Sequence, residues 1–191
     1  LKYRAIRSPV PEMCELSTPG KAWLSKYNCD WNEDYFKGIV GDKDKVSLIL
    51  RNHNWDVIGY QIRNLIPNSI PKYITHINDS IKGHTAWFHV ADNKNLVITE
   101  DYLSSYRIHR DVPNISAMAL LKTNLSDYAL RQIAEIGFDK IYIWLDPDNA
   151  GVRGRKVALS KLSFYLPTKV KTTLLVLDKE PKQCSPKELN L

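Results

Sequence analysis

Several features that this chain of 191 residues lacks narrow its function. It has three cysteines (Cys14, Cys29 and Cys184) and no Cys-x-x-Cys pair, which argues against a disulfide framework and against a zinc ribbon. No apolar run reaches the roughly 18 to 20 residues that cross a bilayer, and the N-terminus lacks the apolar core of a signal peptide. We therefore expect a soluble, intracellular protein with no membrane partner. The chain begins with Leu rather than Met, which leaves open a further module upstream.

Acidic residues are also missing from one long stretch, residues 149–177. Six basic residues lie within it: Arg153, Arg155, Lys156, Lys161, Lys169 and Lys171. Together with a net charge of +6, this stretch favours a polyanionic partner such as nucleic acid.

The pattern of apolar and polar residues differs between the two parts of the chain. Before residue 95, short β-type runs such as residues 46–50 and 56–63 flank turn-rich segments, which predicts a hairpin in a mainly antiparallel α+β subdomain. From Asn95 onward, strand and helix patterns alternate, which predicts a parallel sheet flanked by helices. We therefore expect an α/β protein with an N-terminal subdomain at residues 1–94 packed on an α/β domain at residues 95–191.

Acidic side chains follow two of the predicted parallel strands. The run at residues 96–99 ends at Glu100, and the apolar run at residues 141–145 ends in Asp146-Pro147-Asp148. If these strands are neighbours, the three carboxylates converge and offer the oxygen ligands that Mg²⁺ or Mn²⁺ prefers. Asp148 also fits a helix N-cap, the commoner role of an isolated Asp-x-Asp. The second acidic strand end and the basic stretch favour the metal site.

The two acidic motifs resemble those of the Toprim family, the metal-binding fold of primases, topoisomerases and some nucleases. Leu-Val-Ile-Thr-Glu at residues 96–100 matches its first motif, and residues 143–151, with a trailing glycine, match the second. Residues 58–64 and 71–73 resemble the strand pair that precedes Toprim in phage-type primases. Residues 177–182 are similar to their Lys-Asp-Pro-Asn segment, where Glu180 takes the place of a further acidic residue and Asp178 competes with it.

This resemblance implies a phage-type DNA primase core that joins ribonucleoside triphosphates on a single-stranded DNA template, with Mg²⁺ or Mn²⁺ as cofactor. It implies Glu100 as a metal ligand or as the base for the primer hydroxyl, Asp146 and Asp148 as further catalytic metal ligands, and Glu180 as an additional ligand. The basic residues implied to bind nucleotide or template are Arg63, Lys72, Arg153, Arg155 and Lys156. The resemblance also implies the cytoplasm of a bacterial host, with a replicative helicase or a zinc-binding module, in trans or upstream, as partners.

Two departures from the family pattern keep other functions open. The family usually has Gly after the motif Glu, where this chain has Asp101, which either crowds the metal or adds a ligand. The zinc ribbon that reads template in many primases is absent from these residues. A Toprim-type nuclease and a non-catalytic module that binds nucleic acid or a helicase are therefore the alternatives.

Overall fold

The computed structural model describes residues 3–6, 11–77 and 84–189, and contacts divide the chain into two units. Leu1–Arg51 and Asp56–Ile81 form the first unit, while Asn52–Trp55 and Lys82–Leu191 form the second. In the part of the chain that is described, no helix is long and apolar enough to span a membrane.

The first unit contains one helix and a six-stranded sheet. Its elements are β1 (Tyr3–Ile6), β2 (Met13–Cys14), α1 (Thr18–Ser25), β3 (Phe36–Ile39), β4 (Asp42–Arg51), β5 (Val57–Asn64) and β6 (Tyr73–Ile77). The sheet order is β1-β6-β5-β4-β3-β2, and every pairing is antiparallel except that of β1 with β6. The predicted hairpin is confirmed by the pairing of β4 with β5. Both faces of this pair carry buried side chains, since Leu48 lies opposite Gln61 on one face and Ile62 lies opposite Ser47 on the other.

The second unit is a five-stranded sheet with helices and a short 3₁₀ turn. Its elements are β7 (Ala86–Phe88), β8 (Asn95–Thr99), α2 (Tyr102–Asp111), β9 (Ser116–Ala119), α3 (Asp127–Ile136), β10 (Lys140–Trp144), α4 (Asn149–Tyr165), β11 (Lys171–Leu174) and η1 (Pro181–Gln183). The strand order is β11-β10-β8-β9-β7, with β7 antiparallel to β9 and the other pairs parallel. The predicted α/β architecture with a parallel sheet is thus confirmed, with one antiparallel edge strand added.

That edge strand comes from a segment assigned by its sequence to the N-terminal subdomain. Trp87 of β7 lies opposite Met118 of β9, and both side chains are buried in the core of the second unit. The domain boundary at residue 95 stays a prediction, since β7 joins the second sheet by pairing rather than by any local signal.

Helix α3 begins and ends at residues whose types are typical of helix caps. The side chain of Ser126 caps α3 by accepting a hydrogen bond from the Ala129 amide at 3.2 Å, and Gly137 ends the helix with a φ of 74°. A positive φ suits glycine, which has no Cβ to clash. The apolar face of α3, with Leu130 and Ile133, packs into the core of this unit.

The strand order reverses between β8 and β10. The chain passes from β8 through α2 to β9 on one side, then returns through α3 to β10 on the other side of β8. Loops that leave the carboxyl ends of two such strands diverge, and ligands in open α/β sheets bind at this point. The fold therefore places the loops after β8 and β10 at a favoured binding position.

Candidate metal and nucleotidyl-transfer site

The loops after β8 and β10 bring acidic residues together. The two strands are parallel neighbours, with Ile98 opposite Ile143 and Thr99 opposite Trp144. Glu100 follows the last residue of β8, and Asp146 comes two residues after the end of β10. The adjacency on which the predicted convergence depended is therefore present.

A third segment reaches the same place from the C-terminal part of the chain. The amide of Leu175 donates to the Ile143 carbonyl at 2.9 Å, which continues the pairing beyond β11. The indole Nε1 of Trp144 then donates to the Lys179 carbonyl at 2.9 Å, and Nη2 of the buried Arg107 donates to the Cys184 carbonyl at 3.0 Å. These two hydrogen bonds hold residues 179–184 on both sides and position Glu180 at the site.

Asp101, Asp146 and Glu180 form the cluster that results. One carboxylate oxygen from each residue lies within 4.8 Å of the other two. Glu100 is only 5% exposed, and its negative charge reaches Asp146. We call these four side chains the acidic cluster. Asp178, the competitor of Glu180, is exposed, so the structure brings Glu180 rather than Asp178 to this site.

Asp101, the residue after Glu100, also has a structural role. It is the N-cap of α2: its Oδ1 accepts from the amides of Leu103 and Ser104 at 3.0 and 3.3 Å, and its Oδ2 accepts from Ser104 Oγ at 2.6 Å. Burial raises the pKa of Asp101, but the charge of Lys182 and these hydrogen bonds outweigh it, so the pKa lies below its ordinary value. Asp101 is therefore an ionised member of the cluster.

Lys182 is the cation of this site. Its Nζ donates to Asp101 Oδ2 at 3.0 Å and to Glu180 Oε2. Burial lowers the pKa of Lys182, but the two carboxylates outweigh this effect and raise the pKa above its ordinary value. The ammonium is therefore charged at neutral pH.

The surroundings of Asp146 favour its neutral form, whereas those of Asp101 and Lys182 favour the charged form. Burial, followed by the negative charges of Glu100, Glu180 and Asp101, raises its pKa to about 7, with Lys182 acting weakly in the other direction. The protein alone thus holds this carboxylate at an electrostatic cost near neutral pH. A divalent cation would remove that cost.

Asp148 is not among the carboxylates that lie within 4.8 Å of one another. It is exposed and is the N-cap of α4, with its Oδ1 accepting from the Gly151 amide at 2.8 Å. The helix-capping role that the sequence allowed is therefore present. A contribution of Asp148 to metal binding stays a prediction.

The basic residues of α4 divide into two groups. Arg153 and Lys156 are exposed and lie one turn apart, on the same side of the helix. Arg155 is only 4% exposed, and its Nη1 donates to the Leu145 carbonyl at 3.1 Å, next to Asp146. This side chain faces the interior and supports the loop that carries Asp146, while its contact with phosphate stays a prediction.

Arg155→Met is expected to lower the free energy of unfolding by about 2 kcal/mol, because it leaves the buried Leu145 carbonyl without its donor. Urea unfolding at pH 7 measures this change. The control is Arg153→Met at an exposed position, where a change under about 0.5 kcal/mol is expected. Unchanged stability together with weaker binding of single-stranded DNA would contradict this supporting role and favour the predicted contact with phosphate.

Arg63 and Lys72 belong to the first unit. Lys72 is exposed, directly before β6. The guanidinium carbon of Arg63, on β5, lies 4.9 Å from the ring centre of Tyr73 and 5.8 Å from that of Trp23. Its Nε and Nη1 are buried and have no hydrogen-bond partner among the described residues. Such donors are costly to bury, so this guanidinium is suited to receive an anion.

Sequence reasoning left the role of Asp101 open and missed Lys182 as a functional residue. Asp101 carried a signal, since an acidic residue before a helical run is typical of an N-cap. Lys182 carried none, because it comes 81 residues after Asp101 and only tertiary folding brings the two together.

The donor set fits a hard divalent cation. Mg²⁺ and Mn²⁺ prefer carboxylate oxygens, and the three within 4.8 Å of one another, Asp101, Asp146 and Glu180, supply this chemistry. None of the ligands is a thiolate or an imidazole, which zinc would favour.

Solved structures resemble this one. It matches the primase fragment of the bacteriophage T7 primase-helicase protein with a TM-score of 0.60 and 14% identity, over 96% of this chain and 73% of that one. It matches a DnaG primase catalytic domain bound to single-stranded DNA with a TM-score of 0.63 and 16% identity, over 93% and 60%. The chain has the fold of a primase catalytic core.

The share of each chain that is matched and the sequence identity limit what this similarity establishes. The chain also matches the zinc-binding and RNA polymerase domains of Aquifex aeolicus primase, with a TM-score of 0.60 and 20% identity, over 73% of this chain but only 36% of that one. No protein-family model and no curated protein matches the sequence. At these sequence identities the similarity establishes the fold and not the activity.

Proposed function

We propose that this chain is the catalytic core of a phage-type DNA primase, which makes short RNA primers on single-stranded DNA by metal-dependent nucleotidyl transfer in the cytoplasm of a bacterial host. The observation that carries the proposal is the acidic cluster at the strand-order reversal of a primase-core fold. Several carboxylates held this close, one of them with a pKa raised to about 7, are typical of a site built for a cation rather than for stability.

Mg²⁺ or Mn²⁺ bound here would supply positive charge for the reacting phosphate oxygens and for the primer hydroxyl. Asp146 and Glu180 would hold the ion, with Asp101 beside them. Glu100, buried next to Asp146, would either complete the ligand set or accept the proton of the primer hydroxyl. Asp148 would hold the start of α4 and, through it, the loop that carries Asp146.

Basic side chains would bind the phosphates of nucleotide and template. Arg153 and Lys156 are exposed on α4, and Arg153 lies about 7 Å along the helix axis from the Asp148 cap. Arg63 would use its two buried, unpartnered nitrogens for a triphosphate, and Lys72 would add charge in the same unit. Support for a nucleic-acid partner comes from the net charge of +6 and from the neighbouring DnaG domain solved with single-stranded DNA.

Primer synthesis is the direct test of this proposal. The full chain is incubated with a set of single-stranded templates, labelled ribonucleoside triphosphates and Mg²⁺ or Mn²⁺, and oligoribonucleotides are resolved on a gel. The proposal expects products that require template and metal. It fails if no template yields an oligoribonucleotide, with or without a partner helicase and a zinc-binding module added in trans.

Two other outcomes would identify the alternatives. Metal-dependent cleavage of DNA that disappears in Asp146→Asn would indicate a nuclease. Binding of single-stranded DNA that depends steeply on salt but not on Mg²⁺ or Asp146 would indicate a non-catalytic binding module.

Arg63→Met tests the predicted triphosphate contact. We expect at least tenfold weaker binding of a fluorescent ribonucleoside triphosphate, because a charge-assisted contact worth about 1.5 to 3 kcal/mol is lost. Thermal stability should change little, since the variant also removes two buried donors that lack partners. Unchanged affinity, measured by fluorescence anisotropy, would contradict the assignment. Lys37→Met, in strand β3 of the same unit, removes a lysine that pairs with Glu33 and is the control.

A further inference from the structure

Lys182 bridges two carboxylates of the acidic cluster. Its ammonium contacts both Asp101 and Glu180, and its side chain is only 16% exposed. The main chain around it is fixed by η1 and by the hydrogen bonds from Trp144 and Arg107 described above. A cation held between two acidic ligands occupies the position that a bridging metal ion would take.

The charges of the site support the same interpretation of Lys182. Glu100, Asp101, Asp146 and Glu180 carry four negative charges when ionised, and Lys182 leaves a net charge of −3. One divalent ion brings this to −1, whereas two would make the site positive beside the ammonium of Lys182. Like charges within a few ångströms of each other repel strongly in a half-buried site. The net charge of the site therefore favours a single divalent ion.

Asp101 and Lys182 are also two of the positions at which this chain departs from the sequence pattern it resembles. Asp101 stands in place of the usual Gly, and Lys182 in place of the Asn of the Lys-Asp-Pro-Asn segment. The structure joins them in one ion pair of 3.0 Å. One departure adds a carboxylate and the other adds the ammonium that neutralises it, so the two are best explained together.

We propose that Lys182 is a built-in cation of the acidic cluster and that the cluster consequently binds one divalent ion, through Asp146 and Glu180, rather than two. This rests on the proposed function only in taking the acidic cluster as the metal site. It assigns to Lys182 a positioning role, because its ammonium sets the spacing of Asp101 and Glu180 without contacting substrate.

The number of Mn²⁺ ions bound per chain tests the proposal without template or ribonucleotides. Electron paramagnetic resonance titration should give one ion for the unchanged protein and two for Lys182→Gln, since Gln is a polar side chain of similar size that has no charge. Lys182→Arg should keep the count at one. Lys179→Met, which removes an exposed lysine that pairs with Glu188 outside the cluster, is the matched control and should also bind one ion.

Two ions in the unchanged protein, or one ion in Lys182→Gln, would overturn this inference and leave the proposed function standing. No bound Mn²⁺ in either protein would overturn both. If Lys182→Gln does not fold without metal, the count is made after refolding in Mn²⁺.

Thermal melting provides a second readout. In EDTA, Lys182→Gln should melt about 5 °C below the unchanged protein, because Asp101 and Glu180 lose their cation, and saturating Mn²⁺ should recover most of this loss. An equal loss with and without Mn²⁺ would mean that Lys182 supports only the local fold, and would contradict the proposal.

Discussion

In metal-free buffer at pH 8, Asp146→Asn is expected to melt several degrees above the unchanged protein, although it loses primer synthesis. The folded-state pKa of Asp146 is about 7, against an ordinary value of 3.8. The folded protein therefore binds the proton more tightly than the unfolded chain. Stability from this group is greatest at low pH, declines as pH rises from about 4 to 7, and is lowest above 7.

The size of this effect is bounded by the same shift. About three pKa units correspond to at most about 4 kcal/mol, and solvent access to a half-buried side chain brings the expected value nearer 2 kcal/mol. Asn removes the charge, so the two proteins should differ at pH 8 and converge near pH 4. Melting curves in EDTA across this range measure the difference. A variant that is less stable at pH 8 would contradict the electrostatic account.

Asp146→Asn should also lower primer synthesis by about 10³-fold or more, since ligand charge that stabilises several kcal/mol in the transition state is removed. Adding Mg²⁺ should raise the melting temperature of the unchanged protein and leave the variant almost unaffected. The matched control is Asp178→Asn, an exposed carboxylate in the same C-terminal segment. Gain of stability with loss of activity separates a functional role from a structural one.

Gly151→Ala is expected to have the second large effect, on both stability and activity. A Cβ at this position would overlap the backbone carbonyl oxygen of Asp146, which has little room to move because the Leu145 carbonyl next to it is held by Arg155. We expect a loss of about 3 kcal/mol in the free energy of unfolding. A displacement of Asp146 near 1 Å is enough for a loss of about 10²-fold in activity.

Chemical denaturation and primer synthesis on the same preparation measure these two losses. Val152→Ala, at the next position and exposed, is the control and should stay within about 0.5 kcal/mol of the unchanged protein. If Gly151→Ala keeps both stability and activity, a glycine is not needed here for the close approach of the α4 backbone to the Asp146 loop.

The resemblance in sequence anticipated much of the site. It pointed to Glu100, Asp146 and Glu180, and the structure brings these three together from separate loops. It also named Asp148 and Arg155, which the structure places at a helix cap and in the interior, respectively. Each residue along α4 turns the side chain by about 100°, so Arg153 and Arg155, two residues apart, lie about 200° apart around the helix and face in different directions.

The sequence by itself determined the alternation of strands and helices, the caps at Ser126 and Gly137, and the acidic strand ends, because these depend on residues close together in the chain. Tertiary structure alone decided that β7 pairs with β9 and that Asp101 meets Lys182 across 81 residues. Pairings of this kind depend on which strands become neighbours, and a local pattern contains no information about that. The acidic motifs thus indicated a cation site, while the fold supplied the lysine that sets its charge.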